Sequence, residues 1–206
     1  MRLIEHRVLC RNSHRLSIKP NTKATMPDII SVIRKRRSVR KFKDKPVEGS
    51  KLLRILEAGR WAPSGLNNQP WRFLVIQDKE LRSKISEFTK YGRIITGAGS
   101  LVLVLMDTAD SYNRDKDLMA TGAVSQNMLL EACALGIGSC RLGEIVNQKA
   151  RVQKLLGLDS DLELLAVIAF GYPACKPISC RKKLKSLIIY PHLKGKYNKG
   201  LYHEGQ

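Results

Sequence analysis

The sequence predicts an α+β fold, on three observations. Ser100–Met106 is a wholly apolar run of strand length after its first residue, and Leu162–Phe170 is another, interrupted only by Glu163. Such strands lie at the centre of a sheet, covered on both faces. Around them, apolar residues recur at helical spacing, the pattern of helices that bury one side. Third, Leu118–Leu135 is long and apolar on most sides. A helix of that kind must be covered on most sides, either as a central helix or by packing against another subunit.

Length and composition narrow the class. A chain of 206 residues with 43% hydrophobic residues forms one domain with one sizeable core. No apolar run reaches the roughly 20 residues that span a bilayer, so no membrane association is expected. The first residues mix Arg, His, Glu and Asn among short apolar pairs. That is not the pattern of a secretory leader, and the expected location is cytoplasmic. Residues 1–25 carry Arg2, Arg7, Arg11, Arg15, Lys19 and Lys23 without periodicity and read as a basic, poorly ordered N-terminal extension. His6, Cys10 and His14 lie there at helical spacing but lack a fourth metal ligand.

The formal net charge is +19. Such a field attracts anions: nucleotides, phosphates, nucleic acid, acidic membranes. An RNP-type run of exposed aromatics on a strand is missing, so nucleic acid is not an expected partner. Of the five cysteines, Cys10, Cys133, Cys140, Cys175 and Cys180, none forms a C-x-x-C. Iron–sulfur and zinc signatures are thus missing, as is an even-numbered disulfide set. Cys175 and Cys180 are close enough in sequence to meet across a turn. The four histidines, His6, His14, His192 and His203, all lie near the chain ends, which leaves no histidine for catalysis in the core. No P-loop, H-E-x-x-H or G-x-G-x-x-G after a strand is present.

Taken in order, Pro27 and Asp28 open a helix whose apolar face is Ile29, Val32 and Ile33, with Arg36 and Arg37 at its C-terminal end. Ser50 caps or begins the next helix, with Leu52, Leu53, Leu56 and Trp61 as its buried stripe, ended by Pro63. Trp71–Gln77 is a strand. Asp78 starts a helix with Leu81, Ile85 and Phe88 inward. Residues 90–99 read as a loop suited to facing substrate, and 107–117 as a mobile loop. Gly136 stops the long helix, and Gly136–Ile145 is a glycine-rich connection. Asn147 caps a helix that Gly157 ends. Leu187–Tyr190 reads as a short terminal strand.

Two stretches carry the candidate chemistry. Arg36-Arg37-Ser38-Val39-Arg40-Lys41-Phe42 packs guanidinium groups around one hydroxyl beside a helix end, as a phosphate or other compact dianion requires. Pro63-Ser64-Gly65-Leu66-Asn67-Asn68-Gln69-Pro70-Trp71 is a turn-rich loop entering a strand. It presents amides to a polar, planar ligand.

In this order, and with Ala123–Ala132, Leu135–Cys140 and Phe170-Gly171-Tyr172-Pro173 following, the chain resembles the FMN-dependent nitroreductase family from about Met26 onward. The resemblance implies a three-layer α/β/α sandwich with a central mixed, mostly antiparallel sheet, in an obligate homodimer built on the long helix. Residues 26–206 would be the FMN-binding domain. Arg36, Arg37, Ser38 and Arg40 would hold the flavin phosphate and ring edge. Pro63, Ser64, Gly65 and Asn67 would reach the flavin from the other subunit, and Leu142, Gly143 and Glu144 would lie against its ring. Arg181 and Lys183 would meet the phosphate late in the chain. NADH or NADPH would donate a hydride through FMN, in ping-pong fashion, to a small acceptor such as a nitroaromatic or quinone. No protein acid or base is required, because the flavin carries the chemistry. Two alternatives stand beside this reading. One is another flavin chemistry of the same family, such as dehalogenation or cofactor modification. The other is a basic nucleic-acid-binding protein with a vestigial flavin site. Arg141 stands where many relatives carry Pro or Trp, and Tyr91, Arg93, Tyr112 and Asn113 match no motif.

Overall fold

The computed structural model describes residues 28–189. The N-terminal extension, Pro27, Tyr190 and all four histidines lie outside the described residues. Six helices surround one sheet: α1 (Ile29–Lys35), α2 (Gly49–Arg60), β1 (Trp71–Ile76), α3 (Lys79–Ser86), α4 (Gly92–Gly97), β2 (Ser100–Asp107), α5 (Arg114–Ala134), β3 (Gly138–Leu142), α6 (Lys149–Leu156) and β4 (Leu162–Gly171).

The sheet order is β1-β2-β4-β3, and every neighbouring pair is antiparallel. The expected mixed character reduces to one parallel bridge among the described residues, between Ser38 and Ser139. β2 and β4 are central, as their apolar runs require. Alternate residues feed two cores. Val102, Val104, Ala166, Ile168 and Phe170 face α2 and α5, whereas Leu101, Leu103, Leu105, Val167 and Ala169 share the opposite layer with residues of α3, α4 and α6. Each fully buried aliphatic side chain contributes about 1.5–3 kcal/mol.

Several local expectations are corrected. No residue of α1 is buried, and Ile29 and Ile33 are 73% and 44% exposed. The face is apolar, but among the described residues only Val32 is partly covered, where α1 packs on α5. On α2 the buried residues are Leu52, Ile55 and Gly59, while Leu53 and Trp61 are exposed. Gly59 permits this close approach, because a Cβ there would sit 2.8 Å from Met128 Cγ on α5. Residues 90–99 contain helix α4, which buries Ile94 and Ile95. The glycine-rich connection holds strand β3, an edge strand too short for alternation to reveal. Asn147 lies inside a 3₁₀ turn, Glu144–Gln148, and the residue before α6 is Gln148. Gly157 does close α6, in the left-handed conformation (φ 59°). Of the strand expected at Leu187–Tyr190, Leu187 ends a 3₁₀ turn that starts at Leu184, and Ile188 and Ile189 belong to no strand. The loop after β2 is shorter than predicted, since α5 begins at Arg114 with Asn113 as its cap.

Candidate functional site

α1 delivers the first motif. Asp28 caps the helix by accepting from the Ser31 amide, and the helix stops at Arg36. Ser38 then bridges to Ser139 and the Val39 amide donates to the Ser139 carbonyl, so residues 38–40 run alongside β3. Val39 is buried against Gly138, where a Cβ would come 3.0 Å from the valine side chain. This lock leaves Arg36, Arg37, Ser38 and Arg40 around a cavity of about 170 Å³, which Pro177, Ile178, Ser179 and Arg181 close from the other side.

Among the described residues no carboxylate lines that cavity. Arg37 donates to the carbonyls of Arg34 and Arg36, Arg40 to the Ser38 carbonyl, and Arg181 to Ser179 Oγ and the Cys180 carbonyl. Among the described residues none of these four arginines pairs with Asp or Glu. Four guanidinium groups without a counter-ion attract a compact dianion. Lys183 does not join them; it precedes the exposed 184–187 turn.

The parallel direction of the Ser38–Ser139 bridge sets what comes next. Moving forward along β3, Leu142 follows three residues after Ser139, roughly 10 Å further on at strand spacing. Leu142 is buried among apolar residues; Gly143 is exposed, with open space where a side chain would be. Glu144 turns its carboxylate inward to accept from Thr89 Oγ1. The expected ring-contacting stretch is therefore a bare backbone step beside Gly143. The exposed Arg141 precedes it.

A second cavity, of about 840 Å³, adjoins the first and shares Arg36, Arg37 and Pro177 with it. Cys133 and Cys175 line it. Burial pushes the Cys133 thiol up, against the pull of Arg36, Lys35 and Arg37. That thiol stays protonated at neutral pH and is no nucleophile.

The second motif lies elsewhere. Pro63, Ser64, Gly65 and Asn67 line neither cavity. Their loop rests on the N-terminal end of α5. There Asn68 donates to Asp117 Oδ1 at 3.0 Å, and a methyl group on Gly65 would overlap the Tyr112 hydroxyl. Leu66, Asn67 and Gln69 all adopt positive φ (53°, 56° and 48°). Strain of this kind persists only where the surroundings impose it. The arginine cavity adjoins the larger cavity at the other end of α5, which Cys133 and Gly136 line. The 21 residues of α5 span roughly 30 Å, so one chain cannot bring both motifs to one ligand.

Asp117 was missed in the sequence. It is fully buried and holds the loop assembly together. Its carboxylate accepts from Ser111 Oγ (2.7 Å), the Tyr112 and Asn113 amides, and Asn68. Burial alone would raise its pKa, but these hydrogen bonds outweigh that and leave the carboxyl below its usual value. The available signal was an acid in the first turn of an otherwise apolar helix.

The Nitroreductase family model matches residues 33–92 and 88–172. The chain belongs to that family. This family member is 33% identical over 151 residues to an Archaeoglobus fulgidus protein provisionally named NADH dehydrogenase/NAD(P)H nitroreductase, covering 72% of this chain and 87% of that one. It is 30% identical to the iodotyrosine deiodinase of Thermotoga neapolitana, over 72% of this chain and 90% of the other. Among solved structures, it is similar to a provisionally named nitroreductase in complex with FMN from Desulfovibrio desulfuricans. The TM-score is 0.78 with 44% identity, over 82% of this chain and 99% of that one. No helix among the described residues is long and apolar enough to cross a membrane. Nor do the described residues contain a group of three or more metal-ligating side chains.

Proposed function

We propose that this nitroreductase-family protein is an FMN-dependent NAD(P)H oxidoreductase, working as a homodimer through a single domain, residues 26–206. The observation that carries this reading is the arginine cavity without a carboxylate, in a chain so similar to an FMN-bound structure. The residues fit the cofactor. Arg36, Arg37, Ser38 and Arg181 suit its phosphate, Arg40 the ring edge, and the bare step at Leu142, Gly143 and Glu144 the ring. When bound, FMN supplies hydride chemistry, taking two electrons from NADH or NADPH and giving them to a small acceptor such as a nitroaromatic or quinone.

The protein's part is electrostatic and positional. Its guanidinium groups neutralise a phosphate dianion. Arg40, two residues on, places a fixed cation where a reduced flavin gains negative charge. No titrating side chain has to move a proton for this, which agrees with the protonated Cys133.

The second subunit follows from α5. Leu118 and Met119 are exposed at one end, Gly122 and Gln126 are bare in the middle, and Ala134 is bare at the other end. A groove lined by Ile29 and Val32 of α1, Ala58 of α2 and Leu130 of α5, together with Asn127 and the Arg54–Glu131 ion pair, continues this face. A largely apolar surface spread over three helices supports a partner site. Pairing two α5 helices in opposite directions carries Pro63, Ser64, Gly65 and Asn67 of one copy to the arginine cavity of the other.

The test is the visible spectrum of the purified protein. A flavin spectrum with NAD(P)H oxidation upon addition of a nitroaromatic is expected. Colourless protein that cannot be reconstituted with FMN would sink the proposal. The deiodinase relative favours one second reading, reductive dehalogenation at the same flavin. Bound flavin with turnover of a halogenated phenol but not of a nitroaromatic would select it.

A further inference from the structure

A third cavity, of about 600 Å³, lies away from the residues assigned to FMN. It is walled by Phe42, Lys43, Lys45, Lys79, Arg82 and the Thr96–Gly99 turn, with Asp44, Pro46 and Gln77 completing it. Four of these side chains are cationic and one is acidic. Arg82 is the unusual member: it is only 3% exposed, and no carboxylate hydrogen-bonds to it among the described residues.

Arg82 has a structural task, which accounts for half of its guanidinium group. Nη1 donates to the carbonyls of Ile95, Thr96 and Ala98, closing the C-terminal end of α4. Nε is buried without any partner, and Nη2 makes no hydrogen bond among the described residues. Nε is closed off from any ligand atom, so Nη2 is the donor left to meet an anion in the cavity. A neutral amide would have closed α4 without burying a charge.

The neighbouring charges point the same way. Burial lowers the Arg82 pKa, while Asp78 and Asp44 oppose that from a distance. The Asp78 carboxylate is engaged in capping α3 through the Leu81 amide. Asp44 meets Lys79 at 3.4 Å, but their side chains are 92% and 79% exposed, so water screens the pair and it contributes little. Lys45 approaches Glu48 at 3.9 Å and lies over the Tyr172 ring. Lys43 has no carboxylate partner among the described residues.

We propose that this cavity is a second anion site, which binds the phosphoryl group of a small phosphorylated ligand between Arg82 Nη2 and Lys43, Lys45 and Lys79. The site is separate from the flavin phosphate cavity, which is lined by other residues. Its volume exceeds what one phosphate needs, and the partly buried Phe42 ring provides an apolar wall for the remainder of the ligand.

Truncating Arg82 would uncap α4, so the test uses the exposed lysines. Pyrophosphate is titrated calorimetrically at low salt into full-length protein saturated with FMN, and into the K43E/K79E double variant. One binding event per protomer is expected, weakened at least tenfold in the variant while its flavin absorbance is unchanged. ADP as a second probe identifies the source: binding tighter than pyrophosphate marks a nucleotide, and equal binding marks the phosphoryl group alone, both in support. Absence of pyrophosphate and ADP binding, or binding that the double variant leaves intact, overturns the proposal. With FMN saturating the arginine cavity, an event that depends on Lys43 and Lys79 belongs to this cavity, and flavin retention is read separately from absorbance, so failure of the FMN assignment and failure of this site are distinguishable.

Discussion

Under the proposed function, flavin retention should turn on Ser38 and Arg36. Neither Ser38→Ala nor Arg36→Ala removes a buried apolar group, and each deletes a donor at the carboxylate-free cavity. The expected loss is about 1.5–3 kcal/mol for a charged hydrogen bond, tenfold or more in FMN affinity, measured by fluorescence titration of apoprotein with FMN. Retention unchanged in both variants would place the phosphate elsewhere. Asp117 makes a different prediction. Asp117→Asn turns an amide toward donors that need an acceptor, so a loss of about 1–3 kcal/mol is expected in thermal unfolding. The sign with pH follows from the lowered pKa of the folded state. Stability from Asp117 is fully present above the ordinary carboxylate range, and is lost as pH falls through the lower folded value. A wild-type protein whose acid unfolding is no steeper than that of Asp117→Asn would contradict this. Glu48 is exposed and drawn down to about 2 by its hydrogen bond from Tyr172.

At the scale of elements, the motif near Ser38 works because an edge strand holds it. β3 contributes only five residues, yet Gly138 lets Val39 pack tightly and the Ser139 carbonyl accepts the Val39 amide. Gly138→Ala should push residues 38–40 off the strand. We expect a destabilisation of about 1–3 kcal/mol together with weaker FMN retention. Stability lost while flavin affinity holds would show that the bridge does not position the arginines. The same elements explain which parts of the chain were legible. β2, β4, α3 and α6 stand out because each is long or strongly patterned for its type. α4 and β3 did not stand out: six residues with two glycines and five residues around a cysteine carry too few periods to show a face. The faces of α1 and α2 were misjudged in a consistent direction. Ile29, Ile33, Leu53 and Trp61 have the spacing of buried residues, but among the described residues nothing covers them.

For the whole molecule, that uncovered surface predicts association. Sedimentation equilibrium should give twice the 23.2 kDa chain mass, and Met119→Glu together with Ile33→Glu should produce monomers that release FMN. Monomers that keep flavin at full affinity would refute a site shared between subunits. The charge of +19 exceeds what one cofactor phosphate and one second anion site use. It should speed the encounter with anionic donors and acceptors. The rate constant for NADPH reduction of the enzyme is therefore expected to fall as salt rises from low to physiological strength.

Sequence alone determined the α+β class, the two central strands, the long helix and the arginine–serine cluster, because each is written in contiguous residues whose spacing or chemistry has few readings. Tertiary structure decided what depends on distance between remote segments. It put Arg181 beside Arg40 and left Lys183 out. It set Asp117 under the Ser64–Asn68 loop, and made Arg82, its Nη2 unspent, a wall of its own cavity. It also placed the two motifs at opposite ends of α5. Periodicity reports which side of an element is apolar; only the packed chain shows whether that side meets its own core, another copy or a ligand.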